Sequence, residues 1–259
     1  MHLPNVCSSS VRGNAWAPYA TAAEMLRTHE SWRSPHLGRS MEFLWFGWGG
    51  YPVIAFPTSM GRFVQYEDMH TVAHLQEKVD AGQMQLVCVD SVDEESWYNN
   101  AAPPSERGHR HAAYDAYLRN ELIPYVQRRA QRPDLGTFGC SFGAYHAANL
   151  AGRYPGIVTK AVCFSGLYDI HRFLDGYWDD VDYYHCPTAY IANMDADWVQ
   201  RLRDVDWVIA TGEHDSLVQA NQDFSELLWR KGIPNHTEIW PGVFGHDWPF
   251  WNANISRLL

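Results

Sequence analysis

The chain has 259 residues and a formal charge of −10, from 20 Lys and Arg against 30 Asp and Glu. This length suits one domain spanning residues 1–259, with 1–33 leading into the first strands, and the acidic balance without a basic stripe excludes nucleic acid or an anionic membrane as the main partner. With no apolar leader, no run near the roughly 20 apolar residues of a membrane span, and five cysteines lacking a CxxC pair, a reducing, cytoplasmic setting is expected.

In chain order, residues 41–46 and 52–56 are apolar runs on either side of Gly47-Trp-Gly-Gly50, a pattern that predicts a hairpin-like pair. Residues 62–78 then read as a helix. Met84-Gln-Leu-Val-Cys-Val89 is a continuous apolar run of the kind found in parallel strands covered on both faces. A helix is predicted over 110–129, where Tyr114, Tyr117, Leu118, Leu122, Tyr125 and Val126 recur at spacings of three and four. Residues 137–138 and 160–164 are strand-like. Residues 207–211 and 237–240 complete the strands, and helices follow over 217–229 and 248–259. Strand and helix alternate from residue 52 onward, which is the signature of an α/β domain with a mostly parallel sheet and helices on both faces.

The most informative segment is Gly139-Cys-Ser-Phe-Gly143, a Gly-x-Ser-x-Gly pentapeptide between a strand and a helix rich in small residues. On such an elbow the serine occupies a strained turn that flanking glycines accommodate, and its hydroxyl stands clear of the sheet edge. Serine is a poor nucleophile at neutral pH, so it needs an imidazole to take its proton and a buried carboxylate to orient that imidazole. Both follow in the required order. Asp215 ends the strand-turn Trp207-Val-Ile-Ala-Thr-Gly-Glu-His-Asp215, and His246 lies on the glycine-rich loop before the last helix. Ser141 is therefore assigned as nucleophile, His246 as base and Asp215 as orienting acid, with Glu213 and His214 as weaker candidates in the same turn. Asp247, adjacent to the base, is expected to cap the helix that follows it.

Several segments resemble the esterase branch of the α/β-hydrolases that includes S-formylglutathione hydrolase, feruloyl esterases and mycolyltransferases. Ser34-Pro-His-Leu-Gly-Arg39 resembles that branch's first-strand entry. Asp90-Ser-Val-Asp-Glu-Glu-Ser-Trp-Tyr98 resembles its loop after the fourth strand, and Gly245-His-Asp-Trp248 its histidine loop. The resemblance implies an α/β-hydrolase fold with no large cap domain. It also implies an oxyanion hole formed by the Phe142 N–H and a backbone N–H from the loop after the third strand. Many members read His-Gly in that loop, whereas this chain reads Pro57-Thr-Ser-Met-Gly61, so Ser59 is chosen as second donor with Thr58 next.

Aromatic residues crowd the expected rim: Trp97 and Tyr98, then Tyr168, Phe173, Tyr177, Trp178, Tyr183 and Tyr184, then Trp248, Phe250 and Trp251. Trp97, Tyr98 and Trp248 are the expected substrate contacts, which suits small or aryl esters. Asp169, Asp175, Asp179, Asp180 and Asp182 make the segment after the sixth strand acidic, a feature that at a site mouth disfavours anionic substrates. Metal ligation is not expected: His70 and His74 lack the intervening glutamate of a zinc-peptidase helix, and His109 and His111 have no third ligand nearby in sequence. No lysine-bearing phosphate loop is present. The reading is a cofactor-free serine esterase acting on a small-molecule ester. Acyl transfer by the same triad, a non-catalytic binding role and assembly into a homo-oligomer stay open.

Overall fold

The computed structural model describes residues 26–259; residues 1–25 of the expected leading segment lie outside them. Among the described residues, eight strands form one sheet in the order β1-β2-β4-β3-β5-β6-β7-β8. They are β1 Arg27–Arg33, β2 Ser40–Phe46, β3 Tyr51–Phe56, β4 Met84–Val89, β5 Leu135–Cys140, β6 Val158–Phe164, β7 Asp206–Gly212 and β8 His236–Trp240. Only β2 runs against its neighbours, β1 and β4. From β4 to β8 every pairing is parallel.

Among the described residues there are ten α-helices: α1 Gln65–Asp68, α2 Thr71–Asp80, α3 Pro104–Tyr117, α4 Ile123–Ala130, α5 Phe142–Arg153, α6 Asp180–Tyr183, α7 Pro187–Asn193, α8 Ala196–Leu202, α9 Val218–Arg230 and α10 Trp248–Leu258. Two apolar layers sandwich the sheet, and the period of two along each strand divides its side chains between them. Phe43, Trp45, Ile54, Phe56, Val87 and Val89 face the layer that holds α3, α4, α5 and α9. Leu44, Phe46, Val53, Ala55, Leu86 and Cys88 face α1, α2 and α10. This is the α/β architecture, with a mostly parallel sheet, expected from the alternation of elements. Among the described residues no helix is long and apolar enough to cross a membrane.

Three expectations are corrected. Residues 41–46 and 52–56 are not a hairpin, because β4 lies between β2 and β3. The linking glycines instead carry the chain past the start of β4. Gly50 has φ +86°, and a Cβ there would fall 2.2 Å from the Gln83 carbonyl carbon, so only glycine fits. The helix expected over 62–78 breaks at His70, whose φ of 62° is left-handed, which leaves α1 and α2. The helix expected over 110–129 starts earlier, at Pro104, and contains a π-helical turn, Leu118–Leu122. Pro124, which lacks an N–H and crowds the preceding turn, lies two residues on, and a π turn absorbs that conflict.

Candidate active site

β5 ends in Cys140 and α5 begins at Phe142, so Ser141 alone makes the turn, with φ 57° and ψ −121°. Both glycines of the pentapeptide are required by close approach. A Cβ on Gly139 would lie 2.1 Å from the Gly143 carbonyl carbon, and one on Gly143 would lie 2.3 Å from the Phe56 carbonyl oxygen. The elbow therefore presses α5 against the end of β3. The Ser141 N–H donates to the Phe164 carbonyl of β6 at 2.8 Å, which anchors the turn on its other side.

The three side chains chosen from the sequence form one hydrogen-bonded row. His246 Nε2 lies 3.1 Å from Ser141 Oγ and its Nδ1 3.0 Å from Asp215 Oδ1. Because a carboxylate only accepts, Nδ1 carries the proton and Nε2 is left to accept from the serine. The Asp215 side chain is fully enclosed, while His246 is about one-third exposed. Burial pushes the Asp215 carboxyl up, but hydrogen bonds from His246 and the Leu217 N–H outweigh it and hold the group below its ordinary value. The Leu217 N–H reaches Oδ1 and the Thr211 hydroxyl reaches Oδ2, both at 2.8 Å.

The histidine loop is held from beneath. A Cβ on Gly212 would lie 2.3 Å from the Val243 carbonyl oxygen, so the end of β7 and this loop touch backbone to backbone. Ser165, buried at the end of β6 with φ 51°, donates to the Gly245 carbonyl at 2.6 Å and accepts from Trp251 Nε1 at 3.1 Å. Thr211 and Ser165 carry no signal in the sequence. Asp247 turns away from His246 and caps α10, accepting from the Phe250 N–H at 3.1 Å. Glu213 accepts from the Gly242 N–H, and the His214 ring meets Phe244.

At the loop after β3, the Thr58 N–H donates to Gln65 Oε1 at 2.8 Å and the Met60 N–H to Asp93 Oδ2 at 3.1 Å. Between them, the Ser59 N–H meets no acceptor among the described residues. Phe142 opens α5, so its N–H also lacks an intrahelical acceptor. These are the two amides named from the sequence. Tyr98 is half-buried, donates to Ser59 Oγ at 2.9 Å and meets the Phe142 ring edge-on at 5.1 Å. Trp97 is not at the rim: it is fully buried and donates to the Tyr145 hydroxyl. An indole of this size packed with Phe142, Tyr145, Ile170 and Leu174 gains more from enclosure than from solvent contact. Trp248 is half-buried against Tyr66 and Trp251. Tyr168 is also buried, stacked on Phe224, whereas Tyr177, Trp178 and Tyr184 are exposed.

Among the described residues, one group of possible metal donors comes within 4.8 Å of each other: Asp169, His171 and Cys186. Each already has a partner, since His171 Nδ1 bonds Asp169 Oδ1 at 2.7 Å and the Cys186 thiol meets Thr188 Oγ1. His111 is buried and bonds the Tyr145 hydroxyl.

The family described as "Putative esterase" matches residues 34–259. No curated protein sequence matches the chain. Among solved structures, a ferulic acid esterase superposes with a TM-score of 0.72 at 16% identity, covering 91% of this chain and 96% of the other. The S-formylglutathione hydrolase FrmB from Staphylococcus aureus gives 0.66 at 18% identity, covering 93% and 97%. MPT51 (FbpC1) from Mycobacterium tuberculosis gives 0.67 at 16% identity, covering 89% and 96%. These likenesses establish the α/β-hydrolase fold. The family match, across most of the chain, establishes that it belongs to this family of carboxylic-ester hydrolases.

Proposed function

We propose that the chain cleaves small or aryl carboxylic esters through an acyl-serine intermediate, with Ser141, His246 and Asp215 as its catalytic triad. The observation that carries this reading is the unbroken row from Ser141 Oγ through His246 to Asp215 at 3.1 and 3.0 Å. Ser141 Oγ attacks the ester carbonyl as its proton passes to His246 Nε2. The resulting imidazolium faces the ionised Asp215 carboxylate, and the new oxyanion points at the N–H groups of Phe142 and Ser59. His246 then returns the proton to the leaving alcohol. A water activated by the same imidazole releases the acid and restores Ser141.

Substrate contact falls to Tyr98, which touches the side chains of both Ser59 and Phe142, and to Trp248 near the histidine loop; the buried Trp97 lies in the same apolar cluster as Tyr98. Half-exposed Phe173 lies 5.0 Å from Tyr98 and 5.4 Å from Phe142, adding a third aromatic face that suits an aryl group.

A fluorophosphonate probe and p-nitrophenyl acetate test the proposal together. The protein should be labelled at Ser141 and turn over the ester, while Ser141→Ala should abolish labelling and lower kcat by about 10⁶-fold. Labelling at another residue, or a variant with near-wild-type turnover, removes the assignment. Product analysis with added alcohol separates hydrolysis from acyl transfer.

A further inference from the structure

Asp93 sits just after β4, outside the triad, and is almost wholly buried, as is His146 on α5. Its two oxygens hold different elements. Oδ2 accepts the Met60 N–H at 3.1 Å and Oδ1 accepts His146 Nε2–H at 2.9 Å. One carboxylate thus joins the loop after β3 to the helix that begins at the nucleophile.

Met60 itself has φ 56°. For a side chain other than glycine this left-handed conformation is strained, and it persists only where its surroundings impose it. Asp93 supplies that constraint from one side. From the other, Gln65 grips Thr58 twice, accepting from its N–H and donating to its hydroxyl, each at 2.8 Å. The Ser59 N–H is therefore the one amide of this stretch left to a ligand, and both of its neighbours are clamped. His146 meets the Phe142 ring edge-on at 5.1 Å, so the far end of the clamp adjoins the residue that carries the other amide.

We propose that Asp93 is a positioning residue of the oxyanion site: through His146 it fixes the loop of Ser59 relative to α5, so that the Ser59 and Phe142 amides converge on one oxygen. The proposal rests on the esterase reading above. It predicts a particular pattern of tolerance. Asparagine at 93 can accept from Met60 with its oxygen and donate with its amide nitrogen to His146, which takes its other tautomer. Alanine can do neither.

The test compares Asp93→Asn, Asp93→Ala and His146→Gln, with kcat expressed per active site titrated by fluorophosphonate so that unfolded protein does not count. Asp93→Asn and His146→Gln should stay within about threefold of wild type. Asp93→Ala should lose about 10²-fold in kcat, the scale of a misplaced catalytic group, with KM changed less than about threefold. Its affinity for phenylboronic acid, whose serine adduct places an oxygen between the two amides, should fall by the same factor as kcat. Equal kcat per titrated site in Asp93→Ala, or unchanged boronate affinity, overturns the proposal.

A measurement on the wild-type protein covers the case in which Asp93→Ala does not fold. The Met60 side chain is exposed, yet its amide should exchange hydrogen as slowly as the amides of α5, because Asp93 holds it. Exchange at the rate of a free loop would also overturn the proposal. Absence of wild-type labelling at Ser141, by contrast, would remove the esterase reading and leave the Met60 exchange result to decide the role of Asp93.

Discussion

Asp215→Asn separates the charge of the acid from its geometry. Oδ1 of Asp215 accepts from both His246 Nδ1, at 3.0 Å, and the Leu217 N–H, at 2.8 Å. A backbone N–H can only donate, so an asparagine must leave its carbonyl oxygen on that side; its amide nitrogen there would set donor against donor. The oxygen still receives the His246 proton. On the other side the Thr211 hydroxyl, which now donates to Oδ2 at 2.8 Å, rotates to accept from the new amide. His246 keeps the tautomer that leaves Nε2 free for Ser141, and only the negative charge is lost.

The size of that loss follows from the charge separation. Unit charges about 4 Å apart at an effective dielectric of ~20 interact by about 4 kcal/mol. At about 1.4 kcal/mol per decade this is roughly 10³ in kcat, less than the ~10⁴ expected where the tautomer is also inverted. Asp247→Asn provides the contrast. Among the described residues Asp247 accepts only from the Phe250 N–H, and asparagine caps helices about as well as aspartate, so kcat should change by less than about threefold. Steady-state turnover of p-nitrophenyl acetate, normalised to titrated sites, measures both. A loss below about tenfold for Asp215→Asn, or a larger loss for Asp247→Asn, would refute the assignment of the orienting acid.

Two further outcomes are expected. Asp182 is enclosed beside Gly108, and burial, together with the neighbouring Asp179, pushes its carboxyl up to about 6. A group raised above its unfolded value supports the fold while protonated and loses that support as pH rises through about 6. Asp182→Asn should therefore raise Tm at pH 8 by about 2–4 °C, taking ~1 kcal/mol after allowing for solvent screening, and by less at pH 5; an equal change at both would show that charge is not the cause. Neutral esters should exceed matched anionic esters in kcat/KM by only about fivefold at low salt, since Asp182 is buried and Asp175 pairs with Arg107. A ratio indifferent to ionic strength would place the acidic segment away from the site mouth.

The core strands could be read from the sequence because their apolar runs are long and each ends at a turn residue. β1 could not. Its seven residues, Arg27-Thr-His-Glu-Ser-Trp-Arg33, are mostly polar and lie at the sheet edge with alternate side chains exposed, so hydropathy carries little signal there. Strand order was equally hidden. Whether β2 pairs with β3 or lets β4 between them is decided by non-local packing, and Gly47 to Gly50 serve either arrangement. Trp97 shows the same limit for side chains: its neighbours suggested a rim, and only its contact with Tyr145 reveals that it is core.

The candidate site was legible to the extent that its parts are local. Ser141 is marked by glycines two residues away on each side, Asp215 by a strand end and His246 by a glycine loop, because each demands a turn that leaves a trace nearby. The supporting groups are marked only by their misfit. His146 lies in α5 among Ala144, Ala147, Ala148 and Leu150, all buried, where an imidazole must find a hydrogen-bond partner or destabilise the helix packing. That requirement could be read from the sequence, but its answer, an aspartate 53 positions earlier, could not. A buried polar residue on the nucleophile helix is thus a sequence signal that a second chain segment must come to meet it. In this fold that segment also grips the loop carrying the proposed second amide, so the residue that disturbs the apolar pattern of α5 is the one that ties the two halves of the site together.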